Sequence, residues 1–105
     1  AHPAYVDSIP TSANVEDLVS MGTIAARKAL EITQNVKTVL AIELLVASQA
    51  IDFRLRDKMK LGKETQKVYE SIRKIVPFFS EDAIYYPFIE KLEYNIDQNT
   101  FFNSL

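Results

Sequence analysis

The stretch of sequence that decides the fold is residues 25–53, AARKALEITQNVKTVLAIELLVASQAIDF. Nine positions in it recur at alternating steps of four and three residues. That 3.5-residue period is typical of a helix wound left-handedly against a neighbouring helix. We call these positions the seam, and we predict that they form an oligomer contact. They are Ala25, Ala29, Ile32, Val36, Val39, Glu43, Val46, Ala50 and Phe53.

The seam lies within a longer predicted helix, residues 15–56, preceded by an extended lead-in over residues 1–14. Pro3 and Pro10 interrupt any helical pattern in the lead-in. A helix over 15–56 is about 60 Å long at 1.5 Å per residue, whereas a compact chain of this size has a radius of gyration of only about 13 Å. Because the helix is apolar nearly all round after residue 38, we expect it to be buried nearly all round. We therefore expect its packing partners to come mostly from outside these 105 residues.

Two shorter helices are predicted after the long one. The first covers residues 64–76 and is ended by Pro77, and the second covers 87–97 with Pro87 at its first position. Residues 98–105 form a tail without periodicity, and no strand pattern competes. The sequence thus predicts a single all-α segment, with one long helix of coiled-coil-like bundle type followed by two shorter helices.

Composition excludes several classes of function. The formal net charge is −2 without a basic patch, so nucleic acid is not expected as a partner. No apolar run is long enough for a membrane span, and no signal peptide is visible. The chain has no cysteine, which fits a reducing compartment, so a cytoplasmic location is expected. His2 is the single histidine, so no metal site is predicted.

Acidic residues are the remaining candidates for chemistry. Glu43 interrupts the apolar seam, and it is interpreted as a buried structural acid whose partner comes from another segment or chain, with a catalytic acid as the alternative. Glu16 and Asp17 begin the long helix, where they either complement the helix dipole or present an acid into a cleft. The sequence contains no nucleophile set, phosphate-binding loop or metal-ligand spacing. No catalytic residue is therefore predicted in this chain.

Several long stretches, in order, resemble the C-terminal portion of histidine ammonia-lyase. They are residues 2–22, 24–30 and 35–54, with Val68-Tyr-Glu, Val76-Pro-Phe and Tyr86-Pro-Phe-Ile-Glu further on. The resemblance implies an all-α, tetrameric enzyme whose long central helices bundle across subunits. It also implies elimination of ammonia from an aromatic amino acid, histidine to urocanate, by a methylidene-imidazolone made from an internal Ala-Ser-Gly. That tripeptide is absent here, so the electrophile is expected elsewhere in the complete enzyme, with the remaining polypeptide and sister subunits as partners.

The resemblance also assigns one site residue. Glu16 matches the acid of the family's Asn-Gln-Glu-Asp-His motif, which faces the substrate, and Asn14 and Asp17 keep that pattern. Val15 and Leu18 depart from it, because the family has Gln and His there. Glu16 is therefore the expected substrate-binding residue, with Asn14 and Val15 nearby, and the two departures put specificity and activity in doubt.

Two hypotheses of function follow from the resemblance and the departures. In the first, the chain is a fragment or separate chain of a lyase that supplies bundle helices and one acid, and it is inactive alone. In the second, it is a non-catalytic helical oligomerisation module or a degenerate relative of the lyases.

Overall fold

A computed structural model describes residues 22–102. This part of the chain contains three helices, α1 (Gly22–Arg56), α2 (Lys63–Arg73) and α3 (Tyr86–Asp97), and no strand. The predicted all-α class is confirmed. The bundle type of the long helix stays a prediction, and the lead-in over 1–14 and the predicted helix start at Val15 lie outside the described residues.

The second helix ends three residues earlier than expected, at Arg73. Residues 74–76 continue as a turn, in which the backbone N–H groups of Ile75 and Val76 both donate to the Ile72 carbonyl at 2.9 Å. Pro77 follows directly and has no N–H group to continue a helical pattern. The third helix begins at Tyr86, one residue before its predicted start, and carries Pro87 in its first turn as expected.

The chain divides into two compact units, Ala1–Asn35 and Val36–Leu105. In the first unit the described residues, 22–35, are helical. Ile24, Leu30 and Ile32 there are each about half exposed or more. The second unit contains the rest of α1 together with α2 and α3. The core described below belongs to the second unit.

The core of the second unit is small. Its buried members are Ala41, Ile72, Val76, Leu92 and Phe101. Half-buried side chains surround them, namely Leu44, Leu45, Val68, Ile75, Phe79, Phe88, Ile89 and Ile96. Burying one large apolar side chain contributes roughly 1.5–3 kcal/mol. Phe101 lies in the tail for which no periodicity was visible, yet it is 1% exposed, so the tail contributes to the core.

Two helices end in the same backbone motif. After α1, Lys58 has a φ of 64°, and after α3, Asn99 has a φ of 53°. Each residue donates its N–H group to a carbonyl three residues back, and the next N–H group donates to a carbonyl five residues back. This pattern is the Schellman motif, in which a left-handed residue satisfies the last carbonyls of a helix. It ends α1 at Arg56, the residue at which the predicted long helix also ends.

Candidate functional site

The predicted substrate-binding residues Asn14, Val15 and Glu16 lie outside the described residues, so their assignment stays a prediction. Three other features of the second unit are candidates for function. They are the exposed stripe of α1, a polar cluster between α1 and α2, and an apolar pocket beside α1.

The seam positions of the second unit face away from the core. Val36, Val39, Val46 and Phe53 are 50%, 62%, 58% and 52% exposed. Glu43 is also exposed. The residues of α1 that are buried lie at other positions of the helix, Ala41 and Ser48. Within the described residues, α1 is therefore buried on the face of Ala41 and Ser48, and burial nearly all round stays a prediction that requires partners from outside the chain.

The seam residues of the first unit are also mostly exposed. Ala25 is half-buried, and Ala29 and Ile32 are exposed. A partner for Glu43 was expected from another segment or chain. No ion pair involving this residue is formed within the described part of the chain. The oligomer seam stays a prediction, and the structure adds that its side chains are available to a partner.

A polar cluster joins α1 to α2. The Asp52 carboxylate accepts hydrogen bonds from the Tyr69 hydroxyl and from Nη2 of Arg73. The Asp52 and Arg73 side chains are only 18% and 15% exposed. Nη1 of Arg73 donates to the Val76 carbonyl at 3.0 Å, which fixes the turn after α2. The cluster thus holds two helices and the following turn together in surroundings that solvent reaches poorly.

The cluster changes the acidity of its tyrosine. The hydrogen bond to Asp52 is the largest cause that raises the pKa of Tyr69 above 10.0, and partial burial acts in the same direction. Arg73 opposes both effects because it stabilises the phenolate. Proton loss from Tyr69 would place a negative charge next to the Asp52 carboxylate, so the folded arrangement favours the neutral phenol.

An arginine covers the aromatic end of α1. The Arg56 guanidinium lies 4.7 Å from the ring centre of Phe78 and 5.3 Å from that of Phe53. The two rings meet edge to face with their centres 5.7 Å apart. Cation–π contacts of this kind contribute about 0.5–1 kcal/mol each at exposed sites. The seam residue Phe53 therefore contacts Arg56 and Phe78 of its own chain, although it remains half exposed.

The apolar pocket has a volume of about 570 Å³ and lies between α1, the connection after α2, and the start of α3. Its apolar wall comes from α1, from Phe79 and from the turn of chain that leads into α3. Ser80, Glu81 and Asp82 provide its polar rim. The full lining is Ile42, Leu45, Val46, Gln49, Phe79, Ser80, Glu81, Asp82, Tyr85 and Ile89.

Gln49 fixes the position of the connection relative to α1. Its side-chain amide donates to the Phe79 carbonyl at 2.7 Å and accepts from the Phe79 N–H group at 3.2 Å. The Phe79 ring meets the rings of Tyr85 and Phe88 edge to face at 5.0 and 5.3 Å. These contacts hold the far wall of the pocket open beside the helix.

Sequence reasoning missed the polar cluster and the pocket. The sequence indicated neither Tyr69 nor Asp52 as a candidate site residue. Both features depend on pairs far apart in sequence, such as Asp52 with Arg73. Within residues 22–102 no group of His, Cys, Asp and Glu is arranged to hold a metal ion. None of the three described helices has the length and apolarity needed to cross a membrane.

Comparison with known proteins places the chain. A family model described as aromatic amino acid lyase matches residues 1–74, and the chain belongs to that family. Histidine ammonia-lyase of Clostridium tetani is 61% identical over 83 residues, which are 79% of this chain and 16% of the relative. Histidine ammonia-lyase of Caldanaerobacter subterraneus is 53% identical over 103 residues, which are 98% of this chain and 18% of the relative.

Solved structures agree with this placement. Histidine ammonia-lyase from Trypanosoma cruzi superposes with a TM-score of 0.81 at 38% identity, covering 95% of this chain and 19% of that one. Tyrosine aminomutase from Streptomyces globisporus superposes with a TM-score of 0.82 at 33% identity, covering 96% and 19%. The chain thus spans less than a fifth of the length of these relatives.

Proposed function

We propose that the complete protein is an ammonia-lyase that converts histidine to urocanate, and that these residues are the C-terminal helical portion of that enzyme. The observation that carries the proposal is the 53–61% identity to proteins named histidine ammonia-lyase, over 79–98% of the chain. The tyrosine aminomutase, whose substrate is also an aromatic amino acid, is 33% identical. The higher identity favours histidine as the substrate.

The chain does not carry the residues that form the family's electrophile. A methylidene-imidazolone requires Ala-Ser-Gly, and the two glycines here follow Met21 and Leu61. These residues therefore do not fit the group, and no step of the reaction is assigned to them. The electrophile belongs to other residues of the complete enzyme in this proposal, and the isolated chain is inactive.

Glu16 is the proposed contribution of this chain to the active site. In the proposal its carboxylate faces the bound amino acid, with Asn14 and Val15 nearby. Val15 and Leu18 replace polar residues of the family motif, and a pocket that loses a hydrogen-bonding group discriminates less between substrates. Reduced selectivity for histidine is therefore part of the proposal.

The exposed face of α1 is the proposed contribution to assembly. Five large apolar side chains of the second unit that are 43–62% exposed lie on it. They are Val36, Val39, Ile42, Val46 and Phe53. In the proposal this face packs against the remaining lyase polypeptide and sister subunits in a cytoplasmic homotetramer. Exposed apolar surface of this kind marks contact sites in soluble proteins.

The test is urocanate formation by the complete protein, followed by ultraviolet absorbance. The parent is expected to be active, Glu16→Gln to lose about 10- to 100-fold in kcat/KM, the effect of one charged hydrogen bond to the substrate, and Asp57→Asn, at an exposed acid after α1, to be unchanged. Val15→Gln with Leu18→His is expected to restore selectivity for histidine over tyrosine. A complete protein that contains Ala-Ser-Gly but deaminates no aromatic amino acid would refute the enzymatic proposal.

A second function rests on a specific observation, the two departures at Val15 and Leu18. In that alternative the complete protein is a non-catalytic helical oligomerisation module descended from the lyases. It predicts an assembled protein without activity, which the double reversion would not rescue.

A further inference from the structure

The apolar pocket beside α1 is a feature that the proposed lyase reaction does not use. We infer that it receives an apolar side chain flanked by Lys or Arg, carried by a segment of the complete protein outside residues 1–105. The inference rests on the proposed function only in placing this chain within a longer polypeptide. The test identifies the segment that contacts the pocket, so its outcome does not depend on lyase activity.

The apolar part of the pocket is open to a partner. Ile42 and Val46 line it and are 43% and 58% exposed. Leu45, Phe79 and Ile89 continue the wall and are half-buried. Covering apolar surface contributes about 25 cal/mol per Å². A volume of about 570 Å³ is large enough for one or two apolar side chains of a neighbouring segment.

The rim of the pocket determines the charge of the occupant. Glu81 and Asp82 are both in the lining and both exposed, and the lining contains no Lys or Arg. An apolar segment with acidic neighbours would bring like charges together, whereas Lys or Arg would meet opposite charges. The basic residue should lie about one helical turn from the apolar side chain, the distance at which side chains share a helix face.

Contacts among the described residues hold the walls of the pocket in place. Gln49 holds the Phe79 backbone by two hydrogen bonds, and Phe79 packs between Tyr85 and Phe88. An apolar cleft that residues 22–102 leave open is typical of a preformed binding site. The relatives are long enough to contain such a segment outside the matched region, since the chain covers only 16–18% of their length.

Photo-cross-linking of the complete protein tests the inference. A benzophenone side chain replaces Ile84, which is 73% exposed and lies between the acidic rim and Tyr85. The same group at Tyr94, 64% exposed on α3 and outside the lining, is the matched control. Mass spectrometry of the Ile84 product should identify a segment outside residues 1–105 with Lys or Arg about one helical turn from an apolar residue, and the Tyr94 product should not contain it.

Other products overturn the inference. The inference is wrong if the Ile84 variant forms no cross-link, if it cross-links to residues 1–105 of a second copy, or if it cross-links to a segment that has no basic residue. Urocanate formation is measured on the same sample. A specific cross-link in an inactive protein would refute the proposed reaction alone, and an active protein without the cross-link would refute this inference alone.

A charge variant tests the role of the rim. Glu81→Gln with Asp82→Asn removes both charges, while the asparagine keeps the Oδ1 acceptor for the Ala83 N–H group, which is 3.0 Å away in the parent. Cross-linking yield from Ile84 should fall about threefold at low salt, the effect of one exposed ion pair, and lose its salt dependence. Glu90→Gln with Glu93→Gln removes two charges of α3 outside the lining and should leave the yield unchanged. Equal yields from the two double variants would show that the rim does not select the occupant.

Discussion

Replacing Asp52 by Ala removes the acceptor shared by Tyr69 and Arg73 and leaves the Arg73 guanidinium without its carboxylate. Removing one partner of a fully buried ion pair costs about 3–5 kcal/mol, and exposed pairs are worth at most about 1 kcal/mol. The side chains here are 18% and 15% exposed, which places the pair nearer the buried limit. Arg73 keeps its hydrogen bond to the Val76 carbonyl. We therefore expect a cost of about 2 kcal/mol, concentrated on the contact between α1 and α2.

Native-state hydrogen exchange of the complete protein measures this cost locally, because each amide reports the free energy of opening its own region. The Val76 N–H group, which donates to the Ile72 carbonyl at 2.9 Å, is the amide to follow. A loss of about 2 kcal/mol corresponds to exchange about 30-fold faster. Asp52→Asn keeps an acceptor for the tyrosine and loses only the charge, so an acceleration of about fivefold is expected.

The control for this prediction is Glu64→Gln, also in α2. Glu64 pairs with Lys67 at 3.7 Å, with side chains 58% and 43% exposed, and helix surface pairs of this spacing contribute only about 0.2–0.5 kcal/mol. Its effect on the Val76 amide should stay below about fivefold. If the Val76 amide exchanged no faster in Asp52→Ala than in this control, the Asp52–Arg73 pair would contribute no more than an exposed surface ion pair. That result would refute the reasoning from burial.

Three further predictions concern acidity, core packing and a helix end. Because the hydrogen bond to Asp52 raises the pKa of Tyr69 above 10.0, its stabilising contribution is complete below pH 10.0 and is lost as pH rises through the folded-state value. The difference in tyrosinate absorbance between the parent and Tyr69→Phe should titrate above pH 10.0, and a midpoint below it would contradict this. Leu92→Ala, at a fully buried position, should cost about 2–5 kcal/mol; hydrogen exchange of α3 accelerated less than about tenfold would contradict this. Lys58→Gly should slow exchange in the last turn of α1 by up to about fivefold, because glycine relieves the positive φ of 64° at some cost in entropy; faster exchange than in the parent would contradict this.

The elements that the sequence predicted well are those specified by local signals. Pro87 and the apolar spacing after it are near neighbours, and they located α3 to within one residue. The features that the sequence did not predict depend on contacts between distant residues or on an unusual backbone conformation. Phe101 is buried by residues far from it in sequence, and no period surrounds it. The end of α1 at residue 56 was predicted, but the left-handed conformation of Lys58 that follows it was not, because lysine rarely adopts that conformation.

Periodicity also predicted a packing partner for α1 without indicating which one. The 3.5-residue repeat selects one line of positions along α1, and Val39 and Val46 on that line are 62% and 58% exposed. The contacts that α1 makes within the chain use a different line, through Ala41 and Ser48. Their small side chains leave room for close packing with the residues of α2 and α3. An apolar repeat thus predicts that a helix face packs against a partner, but it does not indicate whether that partner belongs to the same chain or to another.

The two lines of α1 have different physical consequences. The line through Ala41 belongs to a small core, in which five apolar side chains are buried among the described residues 36–102. The seam line carries more large apolar side chains than that core buries from α1, and they are about half exposed. Contacts along the seam should therefore contribute more to the stability of α1 than the contacts to α2 and α3 do. On this reasoning the helix would depend for its stability on the assembly that the seam is predicted to form.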